Sequence, residues 1–149
     1  MIKLASMTWQ YHEHSLERAL EGISVAGFRD AALGLPHQGV DVPNENDETS
    51  VETIKTLLQK YELEAVMLIA NQQFKPGQPL SRAIGRLEAA KALGVKEMLS
   101  VGTSSYRKFP EEELTEEEMA PLNAEFAEHF KVIADEAAAR ELLVSLKPH

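Results

Sequence analysis

The sequence contains no cysteine. Disulfides and thiolate metal sites are therefore excluded, and any metal would have to be held by histidine, carboxylate or water oxygen. Positive charge is scarce: 15 lysines and arginines stand against 24 acidic residues, for a net charge of −9. A nucleic-acid binder needs a phosphate-neutralising surface, so this balance disfavours that class. Long apolar runs are missing too. None approaches the ~18 residues of a membrane span, and no basic leader precedes an apolar stretch. A soluble cytoplasmic protein is the expectation. There is no internal repeat with helix-pair periodicity and no low-complexity segment.

What is present is a regular alternation over 149 residues, of which 44% are hydrophobic, enough for one domain with a real core. Short apolar runs at Ile2–Ser6, Asp30–Leu35, Ala65–Ala70, Val95–Val101 and Leu142–Leu146 read as buried parallel strands. Between them lie helical patterns. Ser15 is placed to cap a helix burying Leu16, Ala19, Leu20 and Ile23, and Gly27 suits the left-handed position that ends it. After the polar loop Asp41–Thr49, Ser50 is expected to cap a second helix that buries Val51, Ile54, Leu57, Leu58 and Tyr61. A third helix runs from about Ser81 to Leu93, with Ile84, Leu87, Ala90 and Leu93 inward. Thr115 and Glu118 form a capping box before a long helix bearing Met119, Leu122, Phe126, Phe130 and Ile133. Pro121 falls in its first two turns, where proline is tolerated.

Strict strand–helix alternation implies a parallel sheet with right-handed crossovers, either doubly wound or closed as a (β/α)8 barrel. Loops after the strands are long and those before them short, which puts function at the C-terminal strand ends in both cases. The first such loop, Ser6–Gln10, contains no glycine to cradle a phosphate. The dinucleotide-binding reading weakens and the barrel moves ahead. A complete barrel takes about 250 residues, so residues 1–149 are expected to form a single incomplete domain: four βα units plus a fifth parallel strand. An open flavodoxin-like sheet is the structural alternative.

The run Gly27-Phe28-Arg29-Asp30-Ala31-Ala32-Leu33-Gly34 resembles the turn into the second strand of xylose isomerase-like TIM barrels. Members of this sugar phosphate isomerase/epimerase superfamily usually carry Gly-aromatic-Asp-Gly-Val-Glu-Leu there. Lys3-Leu4-Ala5, the run Ala89–Val95 and the ending Leu146-Lys147-Pro148-His149 agree in order and spacing with the N-terminal half of such a barrel. The resemblance implies metal-assisted proton transfer next to a carbonyl of a small sugar, polyol or keto acid. A divalent ion (Mn, Mg, Zn or Co) is implied for a complete family member. This chain departs where the metal would be held. Ala32 stands where many relatives have a carboxylate, and Lys147 where the family places a metal-binding glutamate. His37 and His149 have no matching carboxylate, so no metal site and no cofactor are expected in this chain.

Candidate site residues follow from position. Lys147, at a strand end in an apolar context, would be a base or Schiff-base amine if burial favoured its neutral form, and would otherwise snorkel to solvent. His149 is the second catalytic candidate, through proton transfer near neutral pH. Trp9 offers a face for a sugar or a lid over the mouth, and His37 follows a proline at a strand end. Asn71 and Gln72, with Gln73, carry the paired donors and acceptors that suit sugar hydroxyls. His12 and His14 read as a solvated flank, and Glu111–Glu118 as a solvated loop with a favourable helix start. Two accounts compete: part of an isomerase or epimerase with a small-molecule substrate, or an inactive half-barrel that associates through open sheet edges as a homo-oligomer. A repair nuclease of the same superfamily needs a basic groove that this charge does not supply.

Overall fold

The computed structural model describes residues 4–102 and 114–147. Its strands are β1 (Ala5–Met7), β2 (Asp30–Leu33), β3 (Glu64–Ile69), β4 (Glu97–Val101) and β5 (Leu143–Lys147). They alternate with α1 (Leu16–Val25), α2 (Ser50–Lys60), α3 (Leu80–Ala92) and α4 (Glu116–Ala138). All four pairings are parallel and the sheet order is β1-β2-β3-β4-β5. That order separates the two architectures. A doubly wound sheet reverses its winding at an inner strand, whereas a barrel adds each strand to the same edge. The flavodoxin-like alternative is set aside, and the fold is a partial (β/α) barrel. A register shift between Ala31 and Ala32 opposite β3 adds local bend to the sheet.

The helices form one layer against one face of the sheet. Leu20 and Ile23 of α1, Ile54 of α2, Leu87 of α3 and Ile133 of α4 are buried against Leu33, Leu68 and Met98. Each such side chain contributes about 1.5–3 kcal/mol on burial, so this layer carries most of the folding drive. Alternation along the strands sends Glu97, Leu99 and Val101 of β4, with Leu143, Ser145 and Lys147 of β5, to the opposite face. Ser145 Oγ donates to Glu97 Oε1 there at 3.2 Å. Over β4 and β5 this inner face is open, with Leu143 61% exposed and Leu99 and Val101 only partly covered, whereas Ala32 of β2 and Ile69 of β3 are buried on it. Parallel sheets normally have both faces covered.

Helix ends follow local chemistry. Ser15 Oγ accepts from the Arg18 N–H, and Gly27 takes φ +89 behind α1. The capping box of α4 is present, with Thr115 N–H donating to Glu118 Oε2 at 2.9 Å and Glu118 N–H to Thr115 Oγ1. Pro121 lies inside that helix near its start. Ser50 departs from expectation. It is the first residue of α2, and its hydroxyl accepts from the Asn44 N–H at 2.9 Å, closing the preceding loop instead of capping. Val51 and Leu122, expected inward, are partly exposed. The first strand is displaced to Ala5–Met7, with residues 1–3 outside those described. β2 stops at Leu33 because Gly34 adopts φ +112 directly against the Ile69 backbone, a position a side chain cannot share.

Candidate functional site

Parallel strands in sequential order place the C-terminal ends of β1, β2, β3, β4 and β5 along one rim. The segment after β1 is a 3-10 turn, Thr8–Tyr11. Trp9 is half exposed there and stacks on His12, with ring centroids 5.4 Å apart and planes 19° from parallel. Thr8 beside it is buried, and its Oγ1 has no hydrogen-bond partner. His12, read from sequence as solvated flank, is exposed but supports the Trp9 ring.

The segment after β2 grips the first one. Gln38 N–H donates to His12 O at 2.8 Å, Gln38 Nε2 reaches Glu13 O at 3.4 Å, and His37 Nδ1 lies 3.1 Å from His14 O. Three successive carbonyls are thus held by two successive residues. His37 and Val40 also exchange backbone hydrogen bonds, both at 2.9 Å, which closes the turn. The His37 ring is only 3% exposed, and its Nε2 has no partner. Burial pushes its pKa below the ordinary 6.5, aided by the His12 ring and opposed by the carbonyls of His14 and Tyr11.

Further along, the same loop is pinned to α3. Arg86 is completely buried, donates through Nη1 to Val42 O at 2.8 Å, and sets Nε 2.6 Å from Glu45 Oε1. That ion contact lies off the hydrogen-bond axis, and Nη2 has no partner. Burial lowers the Arg86 pKa, against the pull of Glu45 and Asp41. Arg82 closes the network with Asp41 at 2.7 Å. Sequence reading took Asp41–Thr49 as a plain polar loop. The missed signal is the position of Arg86 between Ala83 and Ala90, on the buried face of its helix.

After β3, Gln73 and Phe74 are buried, and Phe74 meets Phe130 edge-on at 6.3 Å. Phe130 in turn stacks on Phe126 at 5.3 Å, which ties this loop to α4. The anchoring leaves Asn71 part-buried with Oδ1 unpartnered, and Gln72 exposed. Lys147 ends β5, paired in register with Val101 on the inner face. It is exposed, the solvent-directed arrangement that the sequence left open beside burial. His149, and Glu111–Glu113 of the acidic run, lie outside the described residues. Trp9 and His37 are therefore brought together by their segments and Asn71 and Gln72 share the β3 end. Lys147 sits four strand spacings from β1, roughly 19 Å around the rim.

Among the described residues no three His, Asp or Glu side chains converge to fit a divalent ion, and the β5 end presents a lysine. Nor is any helix among them long and apolar enough to cross a membrane.

No protein-family model and no curated protein matches the sequence. Solved structures do match by fold. An IOLI protein described with a bound zinc atom superposes with a TM-score of 0.67 at 18% identity, covering 99% of this chain and 51% of that one. A sugar phosphate isomerase/epimerase from Parabacteroides distasonis gives 0.64 at 12% identity, over 99% of this chain and 51% of the other. The 3-keto-D-glucoside 4-epimerase from E. coli gives 0.70 at 14% identity, over 99% and 56%. The chain thus shares the fold of about half of each of these structures and spans about half the length of the structures it matches.

Proposed function

We propose that this chain forms one wall of the substrate site of a sugar isomerase/epimerase-like barrel acting on a small sugar, polyol or keto acid. Trp9 supplies an apolar face, Asn71 and Gln72 the hydroxyl contacts, and His37 lies behind them. The observation that carries the reading is the set of polar atoms left unpartnered at neighbouring strand ends: Thr8 Oγ1, His37 Nε2 and Asn71 Oδ1. Buried polar atoms are nearly always satisfied, and groups left unpaired at a barrel's C-terminal rim are suited to a ligand's hydroxyls. Proton transfer next to a carbonyl would draw its metal ligands and its base from strands beyond the five described. With those strands absent, the isolated chain binds without turning over.

A titration followed by side-chain amide and indole NMR signals tests this, with ketohexoses, their phosphates and small keto acids as probes. Shifts confined to Trp9, Asn71 and Gln72, with no exchange of substrate C–H for deuterium, are expected. Shifts elsewhere, or tight manganese binding, would overturn the assignment. The open inner face favours a second reading, an association module that pairs copies through the free edges of β1 and β5. Leu143, 61% exposed, motivates it. The mass in solution decides: a monomer at high concentration removes this reading.

A further inference from the structure

The grip of the second rim segment on the first depends on one titratable ring. We propose that His37 is a positioning residue: its neutral ring locks the β1–α1 segment, and Trp9 with it, onto the β2–α2 turn, and its protonation opens the lock. The inference concerns this chain's own residues and stands whether or not the rim binds a sugar.

The geometry leaves a second proton no place. Nδ1 faces His14 O at 3.1 Å, the contact an N–H makes with a carbonyl, so the neutral ring keeps its lone pair on Nε2. Nε2 is buried without a partner. A proton there would create both a buried charge and a buried unsatisfied donor. Surrounding groups offset this only in part. On the first segment, the His14 and Tyr11 carbonyls favour an imidazolium, but burial outweighs them and the His12 ring repels it. His14 directly precedes Ser15, the N-cap of α1, where the positive end of the helix dipole also disfavours a cation. The first-turn acid of that helix, Glu17, is engaged by Lys60 Nζ at 2.6 Å and by Tyr61. Glu13 contributes its carbonyl to Gln38 Nε2. The segment released would be Thr8–His14, since residues 12–14 are the ones held through their carbonyls.

The chain carries its own probe, because Trp9 is the only tryptophan. Amide exchange of Gln38, whose N–H bridges the two segments, and acrylamide quenching of Trp9 would be followed from about pH 7.5 to about pH 5, the range in which imidazole titrates. In the unmodified chain, Gln38 protection, corrected for intrinsic exchange, should fall by about tenfold per pH unit within the window set by one proton. Quenching of Trp9 should rise in parallel. His37→Asn keeps an amide donor at the Nδ1 position but cannot titrate, so it should hold the segment with a flat profile. His37→Leu should be loose at every pH. His12→Asn removes the ring stacked on Trp9 and should change emission while leaving the Gln38 transition in place. If His37→Asn retains the transition, or His12→Asn abolishes it, the proposal is wrong. Should His37→Leu fail to fold, the Asn variant alone decides.

Discussion

Replacing Arg86 by methionine is the sharpest test of how the β2–α2 loop is held. Arg86 is fully buried, and its partner Glu45 is nearly so, with 7% of its side chain exposed. Removing one member of a buried pair strands the other, at about 3–5 kcal/mol. Val42 O also loses its charged donor, for about 1.5–3 kcal/mol. Two features pull the other way. Arg86 itself is imperfectly satisfied, with Nη2 unpartnered, and Arg82 Nε already sits 3.8 Å from Glu45 Oε2 and can draw closer. A net loss of about 3 kcal/mol is expected for Arg86→Met, within the range for severed buried pairs. Glu45→Gln, which leaves the guanidinium charge unmatched, should cost a similar amount. The double variant should cost much less than the sum, with a coupling of about 2 kcal/mol, because neither charge is then left alone. Urea unfolding reads this directly: at an m-value of about 2 kcal/mol/M, the single variants lose about 1.5 M in midpoint. Single losses under about 1 kcal/mol, or additive ones, would show that the pair is not what pins the loop.

Other expectations follow from single positions. Gly34→Ala should destabilise by about 3 kcal/mol or more, from positive-φ strain and overpacking. The new Cβ would fall 2.9 Å from the Ile69 carbonyl carbon and closer still to its N and O, and a normal thermal midpoint would refute the close approach. Thr115→Ala should cost about 1 kcal/mol by loss of the α4 cap, visible as reduced helicity at moderate urea. His37 is held below 6.5 when folded, so the folded chain binds fewer protons than the unfolded one as pH falls below that value. Its contribution is complete above about pH 6.5 and declines toward the folded pKa at up to about 1.4 kcal/mol per unit. Urea midpoints across that window should lose this slope in His37→Asn.

Much of the scaffold was legible because it is written in short-range patterns. Leu20, Ile23, Ile54 and Leu87 recur at helical spacing and are buried as expected. Ser15, Gly27 and the Thr115–Glu118 box act within four residues of themselves. The proposed site was legible only as a place. Strand-end position picked out Trp9, His37, Asn71 and Gln72, yet said nothing of their surroundings. It also passed over Thr8, whose hydroxyl is unremarkable until it is buried. The apolar run Leu142–Leu146 left burial and a solvent-directed Lys147 both open. Its face of β5 is the uncovered one, and alternation alone does not reveal which face of a parallel strand has a cover.

The amino-acid sequence by itself therefore determined the βα alternation, most of the apolar face of each helix, the starts of α1 and α4 and the rim for which function is proposed. Each rests on propensity and periodicity within one element. Tertiary structure decided the rest: sequential strand order, the open inner face, the burial of Arg86 against Glu45 and the turning-in of His37. Those depend on partners far along the chain, Val42 O 44 residues from Arg86 and His14 O 23 from His37. A charge or an imidazole takes its chemistry from what surrounds it, and only the folded chain assembles those surroundings.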